Sequence, residues 1–157
     1  MNLLDVGMKA PNFTTVDQHD KNVSLSDFMG KKVILYFYPK DNTPGCTKEA
    51  CGFRDNFDKL RQLNVEILGV SINDKKSHRS FVQKFGLPFT LLADTDKQIV
   101  KAYRAWGEKT LYGKKYMGTN RITYLIDESG YIAAVFAKVK PEKHAEEILA
   151  FLHAHGT

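Results

Sequence analysis

An α/β fold, with a central mixed β-sheet flanked by helices, is predicted from three features of the sequence. Apolar segments rich in β-branched and aromatic residues alternate with segments of helical periodicity. One segment, Val33–Tyr38, is continuously apolar, which marks a strand buried on both faces. The turn signal Asp127-Glu128-Ser129-Gly130 separates two further apolar runs and reads as a hairpin. Strands joined through helices pair in parallel and hairpins pair antiparallel, so the sheet is expected to be mixed.

In chain order, Phe13–Val16 and Asn22–Leu25 are separated by polar residues and are expected to form a small N-terminal β-hairpin. Val33–Tyr38 is the buried central strand. Thr43 then supplies a helix N-cap, and Pro44 falls at the first helical position, where its missing N–H costs nothing. Cys46, Ala50, Phe53, Phe57 and Leu60 follow at spacings of four, three, four and three, one face of a single helix. Val65–Ile72 and Phe89–Ala93 read as further strands. Between them Phe81, Val82 and Phe85 share a helical face that Gly86 and Pro88 terminate. Ile99, Val100 and Tyr103 suggest a short helix. Gly107–Asn120 reads as an exposed connector, with a place beside a pocket left open. Ile122–Ile126 and Tyr131–Ala137 form the predicted hairpin. Pro141 is expected at the first position of a last helix whose buried face is Ala145, Ile148, Leu149 and Leu152.

The 157 residues correspond to a single domain spanning 1–157. A chain of this size buries about 68–70% of its unfolded surface and needs no disulfide framework. With 43% hydrophobic and 26% charged residues, disorder and coiled coil are excluded. The net charge of +5 is scattered over separate doublets, so no nucleic-acid partner is expected. No apolar run approaches 18 residues, and no charged segment leads into an apolar one at the start. A cytoplasmic protein without a membrane partner is the expectation. His153 and His155 lack a carboxylate or cysteine at ligand spacing, and no nucleotide-binding glycine motif occurs, so neither metal nor cofactor is expected.

Cys46 and Cys51 are the only two cysteines. They are too few for a secreted framework or a four-cysteine zinc site, and they do not form C-x-x-C. Cys46 is the third residue of its helix, among unpaired backbone N–H groups and the positive end of the dipole. Both favour a reactive thiolate. A buried structural cysteine would occupy the same stripe. Five helical residues turn the chain by about 500°, so Cys51 points about 140° away with its Cα roughly 8.7 Å distant. A disulfide needs less than about 7 Å. The two can pair only if the first turns unwind, which Gly45 and Gly52 would ease. At this point the two thiols are either a switchable pair or unrelated residues that never meet.

The string Pro39-x-x-x-Thr43-x-x-Cys46 resembles the active-site motif of peroxiredoxins. The longer Thr43-Pro-Gly-Cys-Thr-Lys-Glu-Ala-Cys51 resembles the bacterioferritin-comigratory, or Q-type, branch. Gly7-x-x-Ala10-Pro11-x-Phe13, Trp106-Gly107 and Asn120-Arg121-Ile-Thr-Tyr-Leu-Ile-Asp127 carry the resemblance across most of the chain. It implies a thioredoxin-like fold and a thiol-dependent peroxidase acting on hydrogen peroxide and organic hydroperoxides. By this resemblance Cys46 is the peroxidatic cysteine and Cys51 the resolving one, closing an intramolecular disulfide. Thr43 would contact thiolate and peroxide, Pro39 would shape and shield the pocket, and Arg121 would be the active-site arginine. The guanidinium is always charged and multiply donating, which suits it to stabilise a thiolate and polarise an O–O bond. Glu49 either orients Arg121 or is an ordinary first-turn acid. The resemblance further implies thioredoxin or a similar dithiol as reductant, and a monomer. A non-enzymatic redox sensor and a protein thiol–disulfide oxidoreductase are the alternatives, the latter disfavoured by the missing C-x-x-C.

Overall fold

A computed structural model describes residues 2–155. Its nine strands are β1 (Thr14–Asp17), β2 (Asn22–Ser24), β3 (Lys32–Phe37), β4 (Val65–Ser71), β5 (Thr90–Ala93), β6 (Trp106–Leu111), β7 (Lys114–Thr119), β8 (Ile122–Ile126) and β9 (Ile132–Phe136). The α-helices are α1 (Pro44–Asp55), α2 (Phe57–Gln62), α3 (Lys75–Phe85), α4 (Gln98–Ala102) and α5 (His144–Ala154). Seven strands form one sheet in the order β2-β1-β5-β4-β3-β8-β9. The run β5-β4-β3 is parallel, and the remaining pairs are antiparallel. The predicted mixed sheet is therefore present, with the N-terminal hairpin extending its β5 edge.

The alternation of β3 builds two cores. Val33, Leu35 and Phe37 face one side of the sheet, with Ile99 and Val100 of α4 and the N-terminal residues Leu4 and Phe13. Ile34, Tyr36 and Tyr38 face the other, against Cys46, Ala50 and Phe53 of α1, Phe81 of α3 and Ile148 of α5. Both faces of β3 are covered, as its uninterrupted apolar sequence requires. Among the described residues no helix is long and apolar enough to cross a membrane.

Three expectations are corrected. Gly107–Asn120 is no connector: it holds the two-stranded β6–β7 hairpin, turning at Tyr112 and Gly113 with φ of 51° and 78°. Two successive positive φ values match the twist of a tight hairpin, but the usual Asn-Gly signal is replaced by Tyr-Gly. The stripe from Cys46 to Leu60 does not run along one helix. Asn56 separates α1 from α2 at φ −109° and ψ 11°, its side-chain amide donating at 2.8 Å to the same Gly52 carbonyl that its backbone N–H bonds at 3.2 Å. Pro141 does not open the last helix. It is the second residue of a turn closed by the Lys143 N–H on the Lys140 carbonyl at 3.0 Å, and α5 begins at His144.

Gly69 lies opposite Tyr36 in the β3–β4 ladder. A Cβ there would fall 2.7 Å from a Leu91 methyl and 2.8 Å from the Tyr36 ring. Gly69→Ala is expected to lower stability by about 1–3 kcal/mol through overpacking, read as a shift in the urea midpoint at unchanged m-value. An unchanged midpoint would contradict this packing.

Candidate active site

The site forms where β3 ends and β8 begins. Because these strands run antiparallel with Phe37 opposite Ile122, the residues following Phe37 and the residue preceding Ile122 meet at one end of the sheet. That brings Arg121 against the start of α1. Thr43 is the N-cap in an extended conformation and Pro44 the first helical residue, as the sequence predicts. Cys46 is 1% exposed.

Arg121 donates from Nη2 to the Cys46 sulfur at 3.3 Å and from Nη1 to Glu49 Oε1 at 2.7 Å. The guanidinium fork thus grips two residues on successive turns of α1. Glu49 is fully buried, which resolves its alternatives in favour of an Arg121 partner. Its second oxygen, Oε2, has no hydrogen-bond partner. Burial pushes its carboxyl up to about 7, against the pull of Arg121. Burial also acts against the Arg121 charge, but Glu49 and then Cys46 outweigh it and raise its affinity for the proton. Behind them the fully buried Tyr36 hydroxyl lacks a partner, and burial followed by the Glu49 and Cys46 charges disfavours its ionisation.

Thr43 Oγ1 donates to the Lys40 carbonyl at 2.8 Å and makes no cap bond. Pro39 is half-buried just past β3. Cys51 is half-buried further along the intact α1, and both cysteines are free thiols. The structure thus brings together Cys46, Arg121 and Glu49, sets Pro39 and Thr43 on the adjoining loop, and holds Cys51 apart.

Two participants lacked a readable signal in the sequence. A Cβ on Gly45 would come within 3.1 Å of Arg121 Nη2, so this glycine makes room for the guanidinium. Lys109 of β6 donates to the Thr119 carbonyl at 2.9 Å. Burial and the Arg121 charge make it easier to deprotonate, while Cys46 opposes this. Only the hairpin pairing, invisible in the sequence pattern, brings Lys109 close. His153 and His155 remain on the last helix and its cap, and no metal-binding cluster occurs among the described residues.

The AhpC/TSA family model matches residues 6–135. A putative peroxiredoxin bcp of Coxiella burnetii is 52% identical over 149 residues, covering 95% of this chain and 99% of its own. Peroxiredoxin Bcp of Escherichia coli K12 is 44% identical over 156 residues, covering 99% and 100%. A cysteine-to-serine variant of Xylella fastidiosa PrxQ superposes with a TM-score of 0.94 at 35% identity over all of both chains. The bacterioferritin comigratory protein of Xanthomonas campestris does so at 0.90 and 33% identity, covering 98% of this chain and 100% of its own.

Glu49 binds a proton more readily in the folded chain than at its ordinary 4.5, so folding is favoured by protonation between about 4.5 and 7. That stabilisation is complete below the lower value and is lost as the pH rises through the upper one. Between pH 5 and pH 8 wild type is expected to lose more unfolding free energy than Glu49→Gln, by on the order of 1–3 kcal/mol. Urea titrations at both pH values check this, and parallel losses would contradict it.

Proposed function

The chain belongs to the AhpC/TSA family and is a peroxidase of the peroxiredoxin type, and from that premise we propose that Cys46 is its peroxidatic cysteine and Cys51 its resolving cysteine. One observation carries the assignment: Arg121 donates to the Cys46 sulfur in the first turn of a helix. Fixed positive charge and the positive end of the helix dipole converge there on a single sulfur.

The Cys46 thiolate attacks one oxygen of the peroxide. An S–O bond forms, the O–O bond breaks, and the sulfur loses two electrons to give a sulfenic acid. The other oxygen leaves as hydroxide or alkoxide and takes up a proton, to become water or an alcohol. Arg121 acts on the charge that develops on the peroxide oxygens. Thr43 donates to Lys40 but keeps lone pairs to accept from a peroxide hydroxyl. Pro39 holds the start of the loop with its fixed φ.

Resolution needs motion. The thiols lie about 140° apart around an intact helix and cannot bond there. The first turns of α1 unwind, Cys51 attacks the sulfenic sulfur, an S–S bond forms and water leaves. An external dithiol then restores both thiols by exchange and carries the disulfide away. Thioredoxin is the proposed reductant, on family resemblance. The same resemblance supports a monomer built as one domain over 1–157, and the spare use of cysteine supports a reducing, cytoplasmic setting. The Xanthomonas relative is described by its alkyl peroxide reduction activity, which supports organic hydroperoxides beside hydrogen peroxide as substrates.

Cys46→Ser is expected to abolish steady peroxide consumption in the presence of a thioredoxin system, and Arg121→Ala to slow it about 10²–10³-fold. Cys51→Ser should still consume one equivalent of peroxide but form no intramolecular disulfide. Wild type treated with one equivalent should lose two hydrogens by mass spectrometry, with Cys46 and Cys51 recovered in one cross-linked peptide. Full activity in Cys46→Ser, or no such peptide from wild type, would overturn the assignment.

A further inference from the structure

The loop between β3 and α1 is held by a buried polar network that the steps above do not use. Asp41, on that loop, is 7% exposed and makes four bonds. Its Oδ1 accepts from the Tyr38 hydroxyl at 2.5 Å. Its Oδ2 accepts from Ser77 Oγ at 2.8 Å and lies 2.7 Å from His78 Nδ1. Its backbone N–H donates to Asn73 Oδ1 at 3.0 Å. His78 is wholly buried, and its other ring nitrogen lies 2.8 Å from the Leu92 carbonyl in β5. Both ring nitrogens of His78 thus face oxygen atoms. Next to Asp41, Asn42 sits at φ 60° and accepts from Lys84 of α3 at 3.3 Å.

The consequence is an asymmetry across Thr43. On its N-terminal side, the loop is bolted to α3 and, through His78, to the sheet. On its C-terminal side, α1 meets α5 through side-chain packing, a Cβ on Gly52 falling 3.8 Å from that of Ala145 and the Phe53 ring lying 5.7 Å from that of His144. Buried polar networks whose members are all satisfied fix one geometry. This one lies between the moving helix and the stationary sheet.

We propose that Asp41 and His78 are positioning residues that form the fixed post of the α1 transition, keeping the Pro39–Thr43 loop in its peroxide-competent shape while the chain beyond Pro44 unwinds. The proposal rests on the Cys46–Cys51 resolution described above. It concerns shape rather than charge, and the two separate cleanly. In Asp41→Ala the loop loses all three side-chain bonds. In Asp41→Asn the amide oxygen still accepts from Tyr38, and the amide N–H donates to the Nδ1 lone pair of a neutral His78 ring.

The test is single-turnover rapid quench of the full chain with hydrogen peroxide. It follows sulfenic acid formation and disulfide formation separately by mass. Asp41→Ala and His78→Phe are expected to slow sulfenic acid formation at least tenfold, while the later disulfide step stays within about twofold of wild type. Asp41→Asn is expected to recover most of the lost rate. Val23→Ala, a cavity in the edge hairpin far from the site, is the control for lowered stability. Wild-type oxidation rates in Asp41→Ala and His78→Phe would overturn the proposal. So would equal slowing of both steps in proportion to a lowered melting temperature, as in Val23→Ala, or failure of Asp41→Asn to recover. Absence of a disulfide in wild type would instead overturn the resolution scheme, and is read in the same experiment.

Discussion

The two thiols stand five positions apart on one helix, and the rest of the site is organised around that spacing. A spacing of three or four would bring the sulfurs onto neighbouring positions of the same face. At five, an intact α1 keeps Cys46 turned inward to Arg121 and Cys51 turned away, so in the proposed cycle the geometry that reacts with peroxide excludes the geometry that resolves it. The helix therefore has to be well formed at its start and easily opened. Its first turn supplies the positive end of a dipole to the sulfur. Two glycines, Gly45 and Gly52, weaken the same segment, and Gly45 also leaves space for the guanidinium.

The sheet supplies what the helix cannot. Arg121 is delivered by strand register, since the antiparallel pairing of β3 with β8 sets it across from the residues leading into α1. Its fork ties Cys46 to Glu49 one turn later, so the contact to the sulfur also stabilises the helical state. Burial holds the Glu49 carboxyl near neutrality, and the strength of that tie thus varies around neutral pH. A polar network on the opposite side of Thr43 limits how far any opening spreads.

Much of this was legible in the sequence for physical reasons. Val33–Tyr38 could only be a strand covered on both faces, and the Thr43-Pro44 pair marked a helix start with Cys46 in its first turn. The resemblance carried by the flanking motifs pointed to Arg121. What escaped depended on contacts between segments distant in the chain. Asn56 divides the helix beneath the Cys46–Leu60 stripe, although the apolar spacing continues past it into the same core. Tyr112 adopts positive φ without the residue types that announce such a turn, so β6–β7 and the approach of Lys109 were hidden. Glu49 read equally well as a surface acid because its burial is set by Arg121, 72 residues later. Asp41 and His78, 37 residues apart, carried no pattern linking them.

In the proposed cycle α1, and not the sheet, changes between the reduced and oxidised states. Amide hydrogen exchange on the two states tests it most directly. Amides of α1 from Thr47 to Gly52 should be protected in the reduced protein, where the Thr47 N–H bonds the Thr43 carbonyl at 2.8 Å, and exchange freely in the Cys46–Cys51 disulfide form, while those of β3, β4 and β8 stay protected in both. Equal protection of α1 in the two states, or loss of protection spreading into β3, would contradict it.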